Sequence, residues 1–128
     1  MEKKTFNPEK GPKAVGPYSL AASAGNLLFV SGQIPLNPET GEMVTGNVSD
    51  QARRCLQNLK IVLEGSGSSL ENVIKVGIFI TDMKKFGELN EVYSEFFTEN
   101  FPARAVVEVA GLPKGVDVEV EAIAIRGE

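Results

Sequence analysis

The chain predicts an α+β domain: a mixed β-sheet with two helices packed on one face. Three observations predict it. Two stretches, within 49–64 and 84–99, carry apolar residues at helical spacing. Runs rich in β-branched residues surround them, at 27–31, 72–82, 105–109 and 116–125. The order is strands, helix, strand, helix, strands, which suits helices gathered on one side of a sheet. With 128 residues and no evident linker, repeat or low-complexity tract, a single domain over 1–128 is expected.

The first 17 residues hold three prolines and two glycines and read as an irregular arm. Tyr18 to Ser23 and Leu27 to Ser31 read as short strands around the turn "AGN". "NPETGEMVTG" is turn-rich, a hairpin or loop. In "SDQARRCLQNLKIVLE", Ala52, Cys55, Leu56, Leu59, Val62 and Leu63 fall on one helical face. Ser49 is placed to cap its start and Gly65 its end. Cys55 lies on that apolar face and reads as a small buried hydrophobe.

"NVIKVGIFITD" is the next strand, with Thr81 or Asp82 able to cap the second helix. That helix, from about Lys84 to Glu99, puts Phe86, Leu89, Tyr93, Phe96 and Phe97 on one face. Asn90 shares that stripe, and its amide needs partners from the sheet or from a pocket. "AGLPKG" turns the chain between the last two strands. In the final one Val116, Val118, Val120, Ala122 and Ala124 share one face. Asp117, Glu119, Glu121, Ile123 and Ile125 share the other. Strands such as "VVEVA" and "AIAI" are apolar on both faces, yet two helices cover only one. A homo-oligomer that packs sheet faces together is therefore expected.

Composition excludes several chemistries. The net charge is −4 with scattered Lys and Arg, which argues against a nucleic-acid surface. One cysteine precludes an internal disulfide or a multi-cysteine metal site. No apolar run of membrane-spanning length occurs, and the cytoplasm is the expected compartment. There is no histidine, hence no Ser-His-Asp triad and no His-ligated zinc. Proton transfer falls to a carboxylate, a tyrosine, a lysine, the cysteine or water.

Against that background Arg104 is conspicuous. It heads the apolar run "AVVEV", and alternation places it with Val106 and Glu108. It either pairs with Glu108, Glu119 or Glu121, or it faces a cleft and takes an anion in its planar fork. Glu119 and Glu121 face solvent as a pair, unless one of them meets the same cleft and serves as a base. Gly32, in "VSGQIP", marks a tight turn or a close backbone approach to a ligand. Tyr18 reads as a core aromatic or a hydroxyl at a pocket rim.

"GPYS", "GNLLFVSGQIPLNPETGE", "TDMKKFGELNEVYSEFF", "FPAR" and "VEVEAIA" together resemble the RidA (YjgF-type) family across essentially the whole chain. The resemblance implies a chorismate-mutase-like fold and a homotrimer with sheets around a central barrel and ligand clefts between subunits. It implies hydrolysis of reactive 2-enamine and 2-imine carboxylates, such as 2-aminoacrylate, to a 2-keto acid and ammonia. Such intermediates leak from pyridoxal-phosphate-dependent dehydratases. No cofactor or metal is implied. By position, Arg104 matches the carboxylate clamp and Glu119 the acidic residue near the water. Tyr18, Gly32, Asn90 and Val106 match other pocket positions. Many relatives carry cysteine where this chain has Val106, so no thiol there is essential. The rival expectations are a ribonuclease or translation inhibitor, an activity attributed to some relatives, and a non-enzymatic binder of small carboxylates.

Overall fold

The computed structural model describes residues 1–127; the final position of the expected 1–128 domain lies outside the described residues. Six strands and two helices follow one another as β1 (Lys3–Phe6), β2 (Ala21–Ala24), β3 (Leu27–Gln33), α1 (Val48–Gly65), β4 (Val73–Ile80), α2 (Phe86–Phe96), β5 (Ala103–Glu108) and β6 (Val118–Ile125). The strands form one mixed sheet in the order β1-β2-β3-β6-β4-β5. Strand β6 inserts between β3 and β4 and runs antiparallel to both. The α2 crossover leaves β5 parallel to β4 at the sheet edge.

Both helices lie on one face. Leu56, Leu59 and Leu63 of α1 are fully buried against Leu28, Val76, Ile78, Val118, Val120 and Ala124 of the sheet. Each such side chain contributes about 1.5–3 kcal/mol by leaving water. Leu89, Val92 and Tyr93 of α2 complete this layer. The face read for β6 from Val116 to Ala124 is buried as expected.

Four local readings change. Helix α1 starts two residues early: Asn47, not Ser49, is its cap, and its Oδ1 accepts from the Asp50 amide at 2.8 Å. The helix runs through Gly65, and it is Gly67 (φ +84°) that takes the left-handed turn. Gly65 is small for another reason, since a Cβ there would lie 2.5 Å from Pro8 Cβ. Helix α2 is shorter than 84–99, because Asp82 caps a separate turn at 83–85 by accepting from the Lys84 amide. The N-terminal arm contains β1, an exposed edge strand held by backbone pairing to β2. With almost no side chain to bury, it shows no alternation.

Asn58 is fully buried in α1, and its amide is satisfied on both sides. Its Nδ2 donates to the Ile34 and Leu36 carbonyls, at 3.2 and 2.8 Å, and its Oδ1 accepts from Arg54 Nε. That pins the loop leaving β3, which continues into the expected turn at 37–41 with a bridge between Leu36 and Met43. The other face of the sheet carries no helix. Leu27, Phe29, Ile74, Val107 and Ile125 stay exposed, more apolar surface than scattered single residues account for.

Candidate functional site

Register decides which side chains share a face. Arg104 pairs with Val76, and Val106 with Ile78, so both stand on the helix-covered face. Glu119 pairs with Phe79, which pairs with Val107, so it stands on the open face. Within one chain the sheet separates Arg104 from Glu119. The expected residues gather into two half-sites.

The first lies between α2 and β5. Arg104 Nη1 donates to Asn90 Oδ1 at 2.9 Å, and its Cζ sits over the Tyr93 ring, 4.5 Å from the centroid. The Phe86 ring centroid is 5.6 Å away. No carboxylate pairs with Arg104 among the described residues, which removes the salt-bridge alternative. Glu108, on the same strand, accepts from the Met83 amide instead. Asn90 is exposed rather than buried; it meets both alternatives, bonding across to the sheet and lining a depression. That depression holds about 320 Å³ between Asn90, Tyr93, Ser94, Phe97, Phe101, Pro102 and Arg104. Tyr93 is stacked on Phe97, and burial raises its phenol pKa, offset in part by the Arg104 charge. Its hydroxyl is buried without a partner among the described residues. Val106 turns its side chain to the core and does not line the depression.

The second half-site lies on the open face at the end of β3. Between Val30 and Gln33 the pairing with β6 slips by one residue, a bulge at Ser31 and Gly32. Bulges re-aim side chains and occur often beside functional sites. Here the bulge brings Gly32 directly under the Glu119 side chain: a Cβ on Gly32 would lie 2.7 Å from Glu119 Cδ. Gly32 is glycine because a carboxylate occupies the space. Tyr18, Ser31, Gly32 and Glu119 line a second depression of about 320 Å³ with Val15, Ile34 and Pro113. The Tyr18 hydroxyl is exposed and accepts from the Val15 amide at 3.3 Å. Burial, and then the Glu121 charge, raise the Glu119 carboxyl pKa above its ordinary value. A carboxyl tuned upward suits proton exchange near neutral pH.

Sequence reasoning did not single out Ser31, Tyr93 as a ring beside the guanidinium, or Phe101. The signal for Ser31 was its place beside Gly32 in "VSGQ", and for Tyr93 its place three residues after Asn90. Cys55 is inert as expected: fully buried, with burial holding its thiol well above the ordinary range. Among the described residues no three His, Cys, Asp or Glu side chains converge on a metal position. No helix there is long and apolar enough to cross a membrane.

The family model described as Endoribonuclease L-PSP matches residues 8–126. A RutC family protein of Pyrococcus abyssi is 50% identical over 126 residues, covering 98% of this chain and 99% of that protein. The 2-iminobutanoate/2-iminopropanoate deaminase of Escherichia coli (strain K12) is 46% identical over 126 residues, covering 96% of this chain and 98% of that protein. Among solved structures, E. coli TdcF with bound serine has a TM-score of 0.91 at 43% identity, over 97% of this chain and 99% of that chain. The chain belongs to the endoribonuclease L-PSP family, the RidA (YjgF-type) group that its sequence motifs resemble.

Proposed function

We propose that the protein is a hydrolytic deaminase of reactive 2-imine and 2-enamine carboxylates, releasing a 2-keto acid and ammonia. The observation that carries the reading is a guanidinium held in place with no carboxylate partner among the described residues, at the wall of a depression. Such a group is ready to take a substrate carboxylate in bidentate fashion. A relative named as a deaminase of this substrate class, and one solved with bound serine, support the same reading.

The chemistry needs little. An enamine takes a proton at carbon and becomes the iminium, the protonated imine. Water then adds: its oxygen bonds to the iminium carbon, the C=N π pair moves to nitrogen, and one water proton passes to Glu119. Glu119 returns that proton to the nitrogen; the carbinolamine hydroxyl gives up its own proton to the carboxylate as the carbonyl forms, the C–N bond breaks and ammonia leaves. Arg104 fixes the carboxylate end, and orientation supplies much of the rate gain. Glu119 is the general base, and its raised pKa improves the match to neutral pH.

Because the two half-sites stand on opposite faces, the working site is proposed to form between copies, Arg104 from one and Glu119 from its neighbour. A homotrimer closed through the open sheet faces would bury Phe29, Val107 and Ile125 and give each copy such a neighbour. The source of substrate is a pyridoxal-phosphate-dependent dehydratase. The family's ribonuclease name keeps a second reading alive, though the −4 net charge gives it no positive field.

The test couples purified protein to a serine or threonine dehydratase and follows keto acid release. Wild type accelerates release; Arg104→Ala and Glu119→Gln, folded and oligomeric, do not. Co-expressing the two variants should restore about a quarter of wild-type activity, the share of interfaces that randomly pair two intact halves. No recovery would place both residues in one subunit's site. RNA cleavage lost with Arg104→Ala, without any imine hydrolysis, would transfer the assignment to the nuclease. A Glu119→Gln variant that binds 2-keto acids over a wild type without turnover would leave a carboxylate binder.

A further inference from the structure

We propose that Tyr93 and Phe86 are positioning residues for Arg104: an aromatic cradle on α2 that aims the guanidinium without neutralising it. The proposal rests on the reading of Arg104 as the carboxylate clamp.

An arginine mounted on an edge strand has a long side chain with many rotamers, and holding it still costs entropy. Proteins usually hold such a group with a carboxylate. That solution would spoil an anion clamp, because the internal carboxylate would occupy the fork that the ligand needs. Here the holding groups are all neutral. Phe86, Asn90 and Tyr93 stand four and three residues apart, so one face of α2 presents all three. Both ring centroids lie within 6 Å of the guanidinium carbon, at 4.5 and 5.6 Å, where the negative ring face attracts a cation. Asn90 fixes one nitrogen. The nearby acid on the same strand face, Glu108, is drawn away to the Met83 amide.

The platform is itself rigid. The Tyr93 ring is buried and stacked on Phe97, with centroids 4.7 Å apart and planes at 26°. Among the described residues its hydroxyl reaches no partner. The working part is therefore the ring, which separates this role from that of a hydrogen-bonding tyrosine. The cradle leaves part of the guanidinium fork free beside the depression lined by Phe101 and Pro102.

The experiment measures calorimetric binding of 2-oxobutanoate to the full chain, with KM and kcat from the dehydratase-coupled assay. Tyr93→Leu keeps an apolar side chain but removes the ring; Kd and KM should both rise about fivefold to tenfold, while kcat falls less. Tyr93→Phe keeps the ring and should stay within about twofold of wild type. Phe86→Leu, at a half-buried position and more distant from the cation, should weaken binding about twofold to threefold. A folded Tyr93→Leu with wild-type Kd overturns the proposal, and so does a Tyr93→Phe as weak as Tyr93→Leu. Should Tyr93→Leu fail to fold, Phe86→Leu decides: an unchanged Kd there overturns it. Arg104→Ala is the separate arm. Binding that survives this change sinks the clamp itself, and the cradle with it. Binding lost in Arg104→Ala but intact in Tyr93→Leu sinks only the cradle.

Discussion

Gly32→Ala should separate activity from stability. Gly32 does not lie in the left-handed region, so alanine fits its backbone. The new Cβ would lie 2.7 Å from Glu119 Cδ and 3.1 Å from Cγ. Carbon atoms prefer about 3.5–4.0 Å, so the carboxyl carbon must retreat by about 1 Å. It can do so, because it is the free end of a flexible side chain. The fold should barely register the change. Crowding is offset by the smaller unfolded-state entropy of alanine, worth about 0.4–1 kcal/mol. Catalysis should register it strongly, since a misplacement of about 1 Å costs roughly 100-fold in rate. That is about 2.7 kcal/mol on the barrier. The assay is dehydratase-coupled keto acid release, with thermal unfolding on the same samples. Gly77→Ala is the matched control, because its Cβ would press on Glu121 at 3.1 Å on the same open face and require a shift of only tenths of an ångström. A Gly32→Ala enzyme with wild-type kcat would refute the role given to the Glu119 carboxylate. An equal loss in Gly77→Ala would assign the effect to packing of the open face.

Four further outcomes are expected. Tyr93→Phe removes a buried hydroxyl that has no partner among the described residues, so thermal unfolding should show unchanged or greater stability, by up to about 1 kcal/mol; a clear loss would mean that the hydroxyl is bonded. Asn58→Leu strands the Ile34 and Leu36 carbonyls and should cost about 2–4 kcal/mol by denaturant unfolding, against which an unchanged midpoint would count. Glu119 has its pKa raised in the fold, so the folded state holds that proton more tightly than the unfolded chain does. Its contribution to stability is full below the ordinary glutamate range and is lost as pH rises through the raised value. Glu119→Gln should remove that loss from the stability profile. Glu121→Gln should move the acid limb of the rate profile to lower pH, and an unmoved limb would exclude Glu121 as a cause.

Much of this layout was legible in the sequence, and the part that was not has a definite physical form. The alternation in β6 stands out because one face is packed under helices and the other is not, so the side chains differ in kind. The α1 stripe stands out for the same reason. Strand β1 is invisible because an edge strand with exposed side chains is specified by backbone pairing, which leaves little trace in residue type. The cap of α1 shifted by two residues because Asn47 and Ser49 both suit capping, and only chain direction selects between them.

The deeper gap was between Arg104 and Glu119. Each is readable alone as a charged residue in an apolar strand, but whether they share a face depends on register. Through β4, Arg104 sits opposite position 76 and Glu119 opposite position 79. Three is an odd separation, and side chains on a strand alternate, so the two residues point to opposite sides of one sheet. No sequence pattern within either strand contains that parity, because it is set by how β5 and β6 dock on β4. A slip of one residue in either pairing would have placed both charges on one face and made a single-chain site geometrically possible. With the register as it is, the two side chains leave the sheet on opposite faces, which is why the proposed deaminase site draws its guanidinium and its carboxylate from two copies. The same parity puts the cradle of Phe86 and Tyr93 on the covered side, where α2 can stiffen Arg104, and leaves Glu119 on the open side, beside Tyr18, Ser31 and Gly32.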